Sequence, residues 1–183
     1  MKRTTLYDIQ KARNAKFVEF FGWELPVQYS NLEREHHAVR RAAGLFDVSH
    51  MGEISFRGPQ ARDAIQWIIT NTVKKLETGH QAQYTVMCNG DGGIVDDLLV
   101  YCIDEEHYLS VVNASRVETD YEHMLEQAAS FDCTVENESD KYSQLAIQGP
   151  RAMEIAQKLT SADLSSLRPF RFVFADVAGI ENV

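Results

Sequence analysis

Two adjacent carboxylates lie inside an apolar run, Ile94-Val95-Asp96-Asp97-Leu98-Leu99-Val100, and no other feature of the sequence is as unusual chemically. Neighbouring side chains of a strand face opposite ways, so one of Asp96 and Asp97 points toward an interior or a cavity and the other away from it. A buried carboxylate is expensive unless it is hydrogen-bonded or paired. In one reading one Asp caps the preceding turn and the other is solvated. In the other, one carboxylate is held in a pocket to bind or polarise a nitrogenous ligand. Asn113 ends the apolar run Tyr108-Leu109-Ser110-Val111-Val112. Its amide could read the donor and acceptor edge of a heterocycle, or cap a helix that begins near Arg116. Asp47, Ser49 and His50 stand too close together for a triad assembled from separate elements. A turn that lines a pocket fits them better, with Met51 as a soft apolar wall. The aromatic stretch Phe21 to Tyr29 could stack on a flat ligand or anchor the N-terminal segment, and Trp23 is read as an anchor.

Other reactive residue types carry less. Cys88, Cys102 and Cys133 are odd in number and widely spaced, which suits buried thiols and neither a disulfide framework nor a metal site. The adjacent His36 and His37 point in different directions on a helix, and no metal-binding spacing accompanies them. No metal is expected.

The elements that must position these residues follow from periodicity. Asn31 caps a helix through about Ala43, and Gly44 ends it. Ile54-Ser55-Phe56 alternates as a strand. Gly58-Pro59 breaks it, and Ala61 to Val73 reads as a helix with Ala64, Ile65, Ile68 and Ile69 inward and Pro59 at its start. Leu145-Ala146-Ile147, Gly149-Pro150 and a helix from Arg151 to Leu159 repeat this strand, Gly-Pro, helix order, with Ala again two residues after Pro. Between the copies, Gln83 to Cys88 and Ile94 to Ile103 form a hairpin across Asn89-Gly90-Asp91-Gly92-Gly93. A strand from Tyr108 to Val112, a helix from Arg116 to Ala129 and a short strand from Cys133 to Glu136 follow. On Asp97's face of its strand, alternation predicts Val95 and Leu99; on Asp96's face it predicts Ile94 and Leu98. Apolar neighbours on both faces leave the choice of cavity side open. Phe170 to Val177 reads as another strand and Ala178-Gly179-Ile180 as a turn. The strand-rich core followed by a helix is an α+β signature.

Composition sets outer limits. Hydrophobic residues make up 44% and charged residues 25% of the 183, which is ordinary globular usage. Against 27 Asp plus Glu stand 18 Lys plus Arg, a formal net charge of -9. That balance lacks the broad positive field that gathers phosphates, so no nucleic-acid partner is expected. Arg40, Arg41 and the stretch from Arg168 to Arg171 are read as solvated surface or internal salt partners. No apolar run spans a membrane and no secretory signal opens the chain, so no membrane association and a cytoplasmic location are expected.

Taken in order, Phe21-Gly22-Trp23-Glu24-Leu25-Pro26-Val27-Gln28-Tyr29, Glu35-His36, Gly44-Leu45-Phe46-Asp47-Val48-Ser49-His50-Met51-Gly52-Glu53, Gln83-Tyr84-Thr85-Val86-Met87, Gly92-Gly93-Ile94-Val95-Asp96-Asp97-Leu98, Val111-Val112-Asn113-Ala114 and Ile147-Gln148-Gly149-Pro150 resemble the N-terminal half of the glycine cleavage T-protein family. The resemblance covers essentially the whole chain and is specific as a set. It implies an α+β, folate-binding aminomethyltransferase fold with mixed and antiparallel sheets and packed helices, incomplete at the C-terminus. Residues 1–54 would begin a first folate-binding domain, 55–137 would form an inserted α+β domain, 138–183 would return to the first, and a C-terminal barrel domain would be absent.

The implied reaction moves the aminomethyl carbon from the lipoyl arm of the H-protein to tetrahydrofolate. It releases ammonia, forms 5,10-methylenetetrahydrofolate and serves glycine catabolism. The resemblance implies that Asp97 is the essential carboxylate beside the pterin, and that Met51, Tyr84, Val111 and Asn113 line the folate site. It also implies a fragment of little activity by itself. Other readings are the folate domain of a sarcosine or dimethylglycine dehydrogenase, or a non-catalytic folate-binding module.

Overall fold

A computed structural model describes residues 1–183. Along the chain run α1 (Tyr7–Ala12), β1 (Lys16–Phe20), β2 (Trp23–Gln28), α2 (Leu32–Arg41), β3 (Gly44–Asp47), β4 (Gly52–Arg57), α3 (Ala61–Ile68), β5 (Gln81–Cys88), β6 (Ile94–Asp104), β7 (His107–Val112), α4 (Val117–Ala128), β8 (Thr134–Asn137), β9 (Leu145–Gln148) and α5 (Ala152–Ala156). They fall into two compact units. The first comprises Met1–His50, Ser143–Leu167 and Phe174–Val183; the second comprises Met51–Tyr142 and Arg168–Val173. No helix is long and apolar enough to cross a membrane.

The second unit is a five-stranded sheet in the order β5-β6-β7-β4-β8. Every neighbouring pair in it is antiparallel. The α+β architecture is therefore as expected. Helices α3 and α4 share one core with a single face of the sheet. Ile54 and Phe56 of β4, Met87 of β5, Leu98, Val100 and Cys102 of β6, and Tyr108 and Val112 of β7 meet Ala64, Ile65 and Ile68 of α3 and Met124 of α4 there. Period-2 patterning in the strands and 3.6-residue patterning in the helices put these side chains on one surface. Burying each large one is worth about 1.5–3 kcal/mol. The hairpin turn between β5 and β6 is held by Asn89, whose side chain accepts from the amides of Asp91 (3.1 Å) and Gly93 (2.8 Å).

In the first unit, β1 and β2 form a hairpin through Phe21 and Gly22, with φ of +45° and +81°. Positive φ at both central residues matches the right-handed twist of the strands. Strands β3 and β9 pair antiparallel, Leu45 opposite Ile147. Asn31 caps α2, its side chain accepting from the Arg34 amide at 3.0 Å, as the sequence predicts. Tyr7 is the single buried hydrophobic residue outside the second unit.

The two Gly-Pro turns are built alike. Gly58 and Gly149 have φ of +136° and +127°. The residues that precede α3 and α5, Gln60 and Arg151, have φ, ψ of -109°, 16° and -105°, 9°. Each donates its amide to a carbonyl, Gln60 to Asp132 at 3.1 Å and Arg151 to Ala42 at 2.9 Å. The repeat seen in the sequence is thus a repeat of backbone geometry.

Some expectations are corrected. Helix α3 stops at Ile68: Ile69 is extended, and the Thr70 amide bonds the Val86 carbonyl, so the β-branched Ile69-Thr70 pair joins the sheet instead. Pro59 precedes the capping residue Gln60 and lies outside the helix. The segment from Phe170 to Val177 is not a strand. Phe170 has φ of +60°, and only isolated bridges, Gln81 to Arg171 and Val177 to Ile180, form there. The predicted turn after it is present, with Ala178 and Gly179 both at positive φ.

Candidate functional site

Register places the site. Tyr84 of β5 stands opposite Leu99 of β6, Leu99 opposite Val111 of β7, and Val111 opposite Glu53 of β4. Directly opposed residues share a face. This row lies on the face away from α3 and α4, because Leu98, Val112 and Ile54 occupy the helix-covered one. Asp97, two residues from Leu99, is on the same face as Tyr84 and Val111 and is exposed. Asp96 points the other way and is 9% exposed.

Alternation holds from Asp96 onward and fails just before it. Met87 pairs with Asp96 and Cys88 with Ile94, so Val95 is an extra residue in β6. A bulge of this kind reverses the facing of the residues before it. Ile94 is 71% exposed and does not share the buried face of Asp96; Val95 packs against the core and does not share the face of Asp97. Both departures from the predicted faces have that one cause.

Tyr84 Oη donates to Asp97 Oδ2 at 2.5 Å. Tyr84 is 52% exposed, so the pair is accessible to a ligand. The bond to Asp97 raises the Tyr84 phenol above its ordinary range, with burial and the charges of Asp97 and Asp96 adding to it. The phenol therefore stays protonated and donating at neutral pH.

Asn113 follows β7, and its amide turns to the helix side. Nδ2 donates to both oxygens of Asp96, at 3.0 and 3.2 Å, and to the Asp97 carbonyl at 3.1 Å. It does not meet the Asp97 carboxylate. It does not cap α4 either: Arg116 holds that position, and Asn113 contributes only its carbonyl, to the Arg116 amide at 2.8 Å. Met51 is half-buried and precedes Gly52, which pairs with Val112. Met51 and Asn113 thus flank one residue pair. All five residues singled out in the sequence sit at one end of the sheet, with Tyr84, Asp97 and Val111 on a common face and the Asn113 side chain behind it.

Two carboxyls of this unit escaped the sequence reading. Glu53 shares the face of Val111 and Tyr84, is 4% exposed, and is pushed by burial up to about 7. Its position between Gly52 and Ile54 on a strand was the available signal. Asp120 of α4 is fully buried, and lies on the helical stripe of Val117, Met124 and Ala128 that faces the core. The spacing of that stripe was the signal.

In the first unit, a cavity of about 510 Å³ is lined by residues that include Leu25, Tyr29, Val39, Phe46, Asp47 and His50. The turn after β3 does line a pocket, as read from the sequence, although Met51 is not among its walls. Asp47 accepts from the Ser49 amide (3.1 Å), the Ser49 hydroxyl (2.7 Å) and Gln10 Nε2 (2.8 Å). These bonds make a local turn with no triad. Trp23 is half-buried in β2, with the Lys2 ammonium 5.7 Å from its ring, in keeping with an anchor. Cys102 is buried, while Cys88 and Cys133 are half-buried. No group of three or more His, Cys, Asp or Glu converges.

Residues 6–183 match the GCVT N-terminal domain. An aminomethyltransferase of Lysinibacillus sphaericus is 53% identical over 172 residues, covering 94% of this chain and 47% of that protein. The aminomethyltransferase of Bacillus subtilis is 50% identical over 180 residues, 98% of this chain and 49% of that protein. The crystal structure of glycine cleavage system aminomethyltransferase T from Bartonella henselae superposes with a TM-score of 0.86 at 30% identity, over 93% of this chain and 46% of that one. A heterotetrameric sarcosine oxidase from Corynebacterium shares the fold alone, with a TM-score of 0.55 at 15% identity over 81% of this chain and 75% of that one. The chain spans about half the length of the aminomethyltransferases it matches, and it belongs to the GCVT N-terminal domain family.

Proposed function

We propose that this chain carries the folate-facing carboxylate of a glycine cleavage aminomethyltransferase. The observation that carries the reading is the accessible Tyr84–Asp97 pair on the sheet face away from the helices. Its setting is a chain about 50% identical to aminomethyltransferases. The sarcosine oxidase likeness is one of fold and gives no comparable support.

The residues fit a pterin. A pteridine presents several N–H donors, and an ionised carboxylate is an acceptor with two oxygens. Asp97 has Oδ2 engaged by Tyr84 and an exposed side chain left to receive them. Val111 supplies an apolar wall on the same face, and Met51 lies at the same sheet end. Tetrahydrofolate would supply the nitrogen nucleophile that accepts the one-carbon unit. The donor would be the aminomethyl group on the lipoyl arm of an H-protein, with ammonia released and 5,10-methylenetetrahydrofolate formed. In that reaction Asp97 fixes the orientation of the ring and stabilises positive charge that develops on nitrogen. Tyr84 holds the Asp97 carboxylate in one rotamer and keeps it an acceptor.

Calorimetric titration of the chain with tetrahydrofolate tests this. Binding is expected, weakened about tenfold or more in Asp97→Asn, since a hydrogen bond to a charged group is worth about 1.5–3 kcal/mol. Equal binding by the folded variant would remove Asp97 from the role.

A further inference from the structure

Behind the site, on the helix-covered side of the sheet, two buried carboxyls meet. Asp120 lies in the first turns of α4, its amide bonded to the Arg116 carbonyl at 2.8 Å. Its side chain is 0% exposed, and neither carboxyl oxygen receives an N–H or an alcohol O–H from the chain. Another acid, Asp96, lies within hydrogen-bonding reach. Asp96 already accepts from Asn113 Nδ2 on both oxygens. Both Asp96 oxygens are thus engaged as acceptors, so a hydrogen bond between the two acids is donated by Asp120.

We infer that Asp120 is a positioning residue: it is protonated at neutral pH and donates to Asp96, making one hydrogen-bonded acid pair that fixes Asn113 and the start of β6, and through them the Asp97 carboxylate. One of the two apparently unpartnered oxygens of Asp120 is then accounted for as the O–H donor to Asp96, and the other is left as the carbonyl of a neutral acid, which costs less to bury than an ionised oxygen. An ionised Asp120 would be a second buried anion beside the first, which burial and like charge both oppose. Burial first, then the bond to Asp96, pushes the Asp120 carboxyl up to about 8. The charges that bear on it are Asp96 and Asp97 from β6 and Arg116 at the start of its own helix. Arg116 pulls the other way without prevailing: its Nη2 donates to the Val95 carbonyl at 3.3 Å, and its buried Nε has no partner. The other elements packed on α4 present apolar groups to the core, Ala64, Ile65 and Ile68 from α3 and Val135 from β8.

The pair also explains why two adjacent aspartates occur in one strand. Asp97 works on the accessible face, and Asp96 on the other face is the acceptor by which α4 and Asn113 grip the strand. Loss of the Asp120 proton would set two anions against each other and loosen the grip.

Three readouts on the 183-residue chain, with Asp120→Asn and Asp120→Leu, test this. Infrared spectra of Glu53→Gln, which removes the other acid raised by burial, should contain a carboxylic-acid C=O band at pH 7 that titrates away near pH 8 and is missing from the Glu53→Gln/Asp120→Asn double variant. Melting profiles should lose part of their pH dependence in Asp120→Asn. The third readout rests on the folate reading above: wild-type affinity for tetrahydrofolate should fall above pH 8, approaching tenfold per pH unit. Asp120→Asn, whose amide still donates to Asp96, should bind as at neutral pH throughout, and Asp120→Leu should bind weakly at every pH. An acid band that survives in the Glu53→Gln/Asp120→Asn double variant, or a Glu53→Gln spectrum without one at pH 7, overturns the pair. So does Asp120→Asn binding with the unaltered wild-type pH profile. Absence of folate binding in all forms counts against the folate reading, and the infrared band then decides the pair. If Asp120→Leu does not fold, Asp120→Asn decides alone.

Discussion

Tyr84 and Asp97 come from adjacent antiparallel strands and meet diagonally, the phenol reaching past its direct partner Leu99 to Asp97 Oδ2 at 2.5 Å. Diagonal pairs lie within reach of aromatic side chains. Tyr84→Phe removes the donor and keeps the ring. Because Tyr84 is half-exposed, thermal stability should change little. Tetrahydrofolate affinity should fall about three- to tenfold as Asp97 loses its fixed rotamer, a loss of about 1 kcal/mol. Calorimetry and a melting curve on the same sample check both halves. Unchanged affinity would mean that the bond does not serve binding.

The two aspartates should respond oppositely to the same substitution. Asp97→Asn should melt like the wild type and bind folate weakly. Asp96→Asn places an amide where Asn113 Nδ2 and the Asp120 hydroxyl both require an acceptor, so it should lose stability by about 1–3 kcal/mol. Chemical denaturation with both variants measures the difference. A stable Asp96→Asn that cannot bind, beside an Asp97→Asn that binds normally, would reverse the assignment of the two faces.

The same pair of residues marks how far the sequence could be read. The hairpin was legible because Asn89 to Gly93 permits few other turns, and the α+β class followed from the order of the patterns. Which aspartate faced the helices was not legible, because Leu98 and Leu99 are both apolar and the deciding fact is the position of α4. The outward turn of Ile94 was hidden for a different reason. A one-residue bulge at Val95 leaves no mark on an alternating apolar run, yet it exchanges the two faces. The hairpin of β1 and β2 went unseen since its turn places Phe21 at φ +45°, a conformation that composition would not assign to phenylalanine. Asp120 drew no notice in the sequence, although its spacing from Val117 and Met124 puts it on the inner stripe of α4.

The repeated Gly-Pro turns yield a matched pair of predictions. A Cβ on Gly149 would lie 2.6 Å from the carbonyl oxygens of Val39 and Ala42, and one on Gly58 would lie 2.9 Å from that of Asp132. Those atoms are backbone and cannot step aside, and both glycines have positive φ. Gly149→Ala and Gly58→Ala should each cost about 2 kcal/mol or more. Denaturation midpoints would reveal it. Near-neutral substitution at either turn would show that the close approach is not required there.

Glu53 provides the last prediction, on pH. Its carboxyl is raised by burial from 4.5 to about 7 in the folded chain. An acid raised on folding holds its proton in the folded state where the unfolded state has released it. Folding is therefore unpenalised below pH 4.5, and the cost grows as pH rises toward 7, then levels off. A difference of this size corresponds to about 3 kcal/mol as an order of magnitude. Asp120, raised from 3.8 to about 8, acts with the same sign over an overlapping window. The chain should accordingly melt at a higher temperature near pH 5 than near pH 8.5, the reverse of proteins whose acids are salt-bridged. Glu53→Gln keeps the shape without the charge, so it should raise the melting temperature at pH 8.5 and leave it nearly unchanged at pH 4.5. Combining it with Asp120→Asn should flatten the profile further. The measurement is a set of melting curves at half-unit pH steps for the wild type and the three variants. A wild type that stabilises steadily from pH 5 to pH 8.5, with Glu53→Gln following the same line, would show that the Glu53 carboxyl is ionised and satisfied in the folded chain.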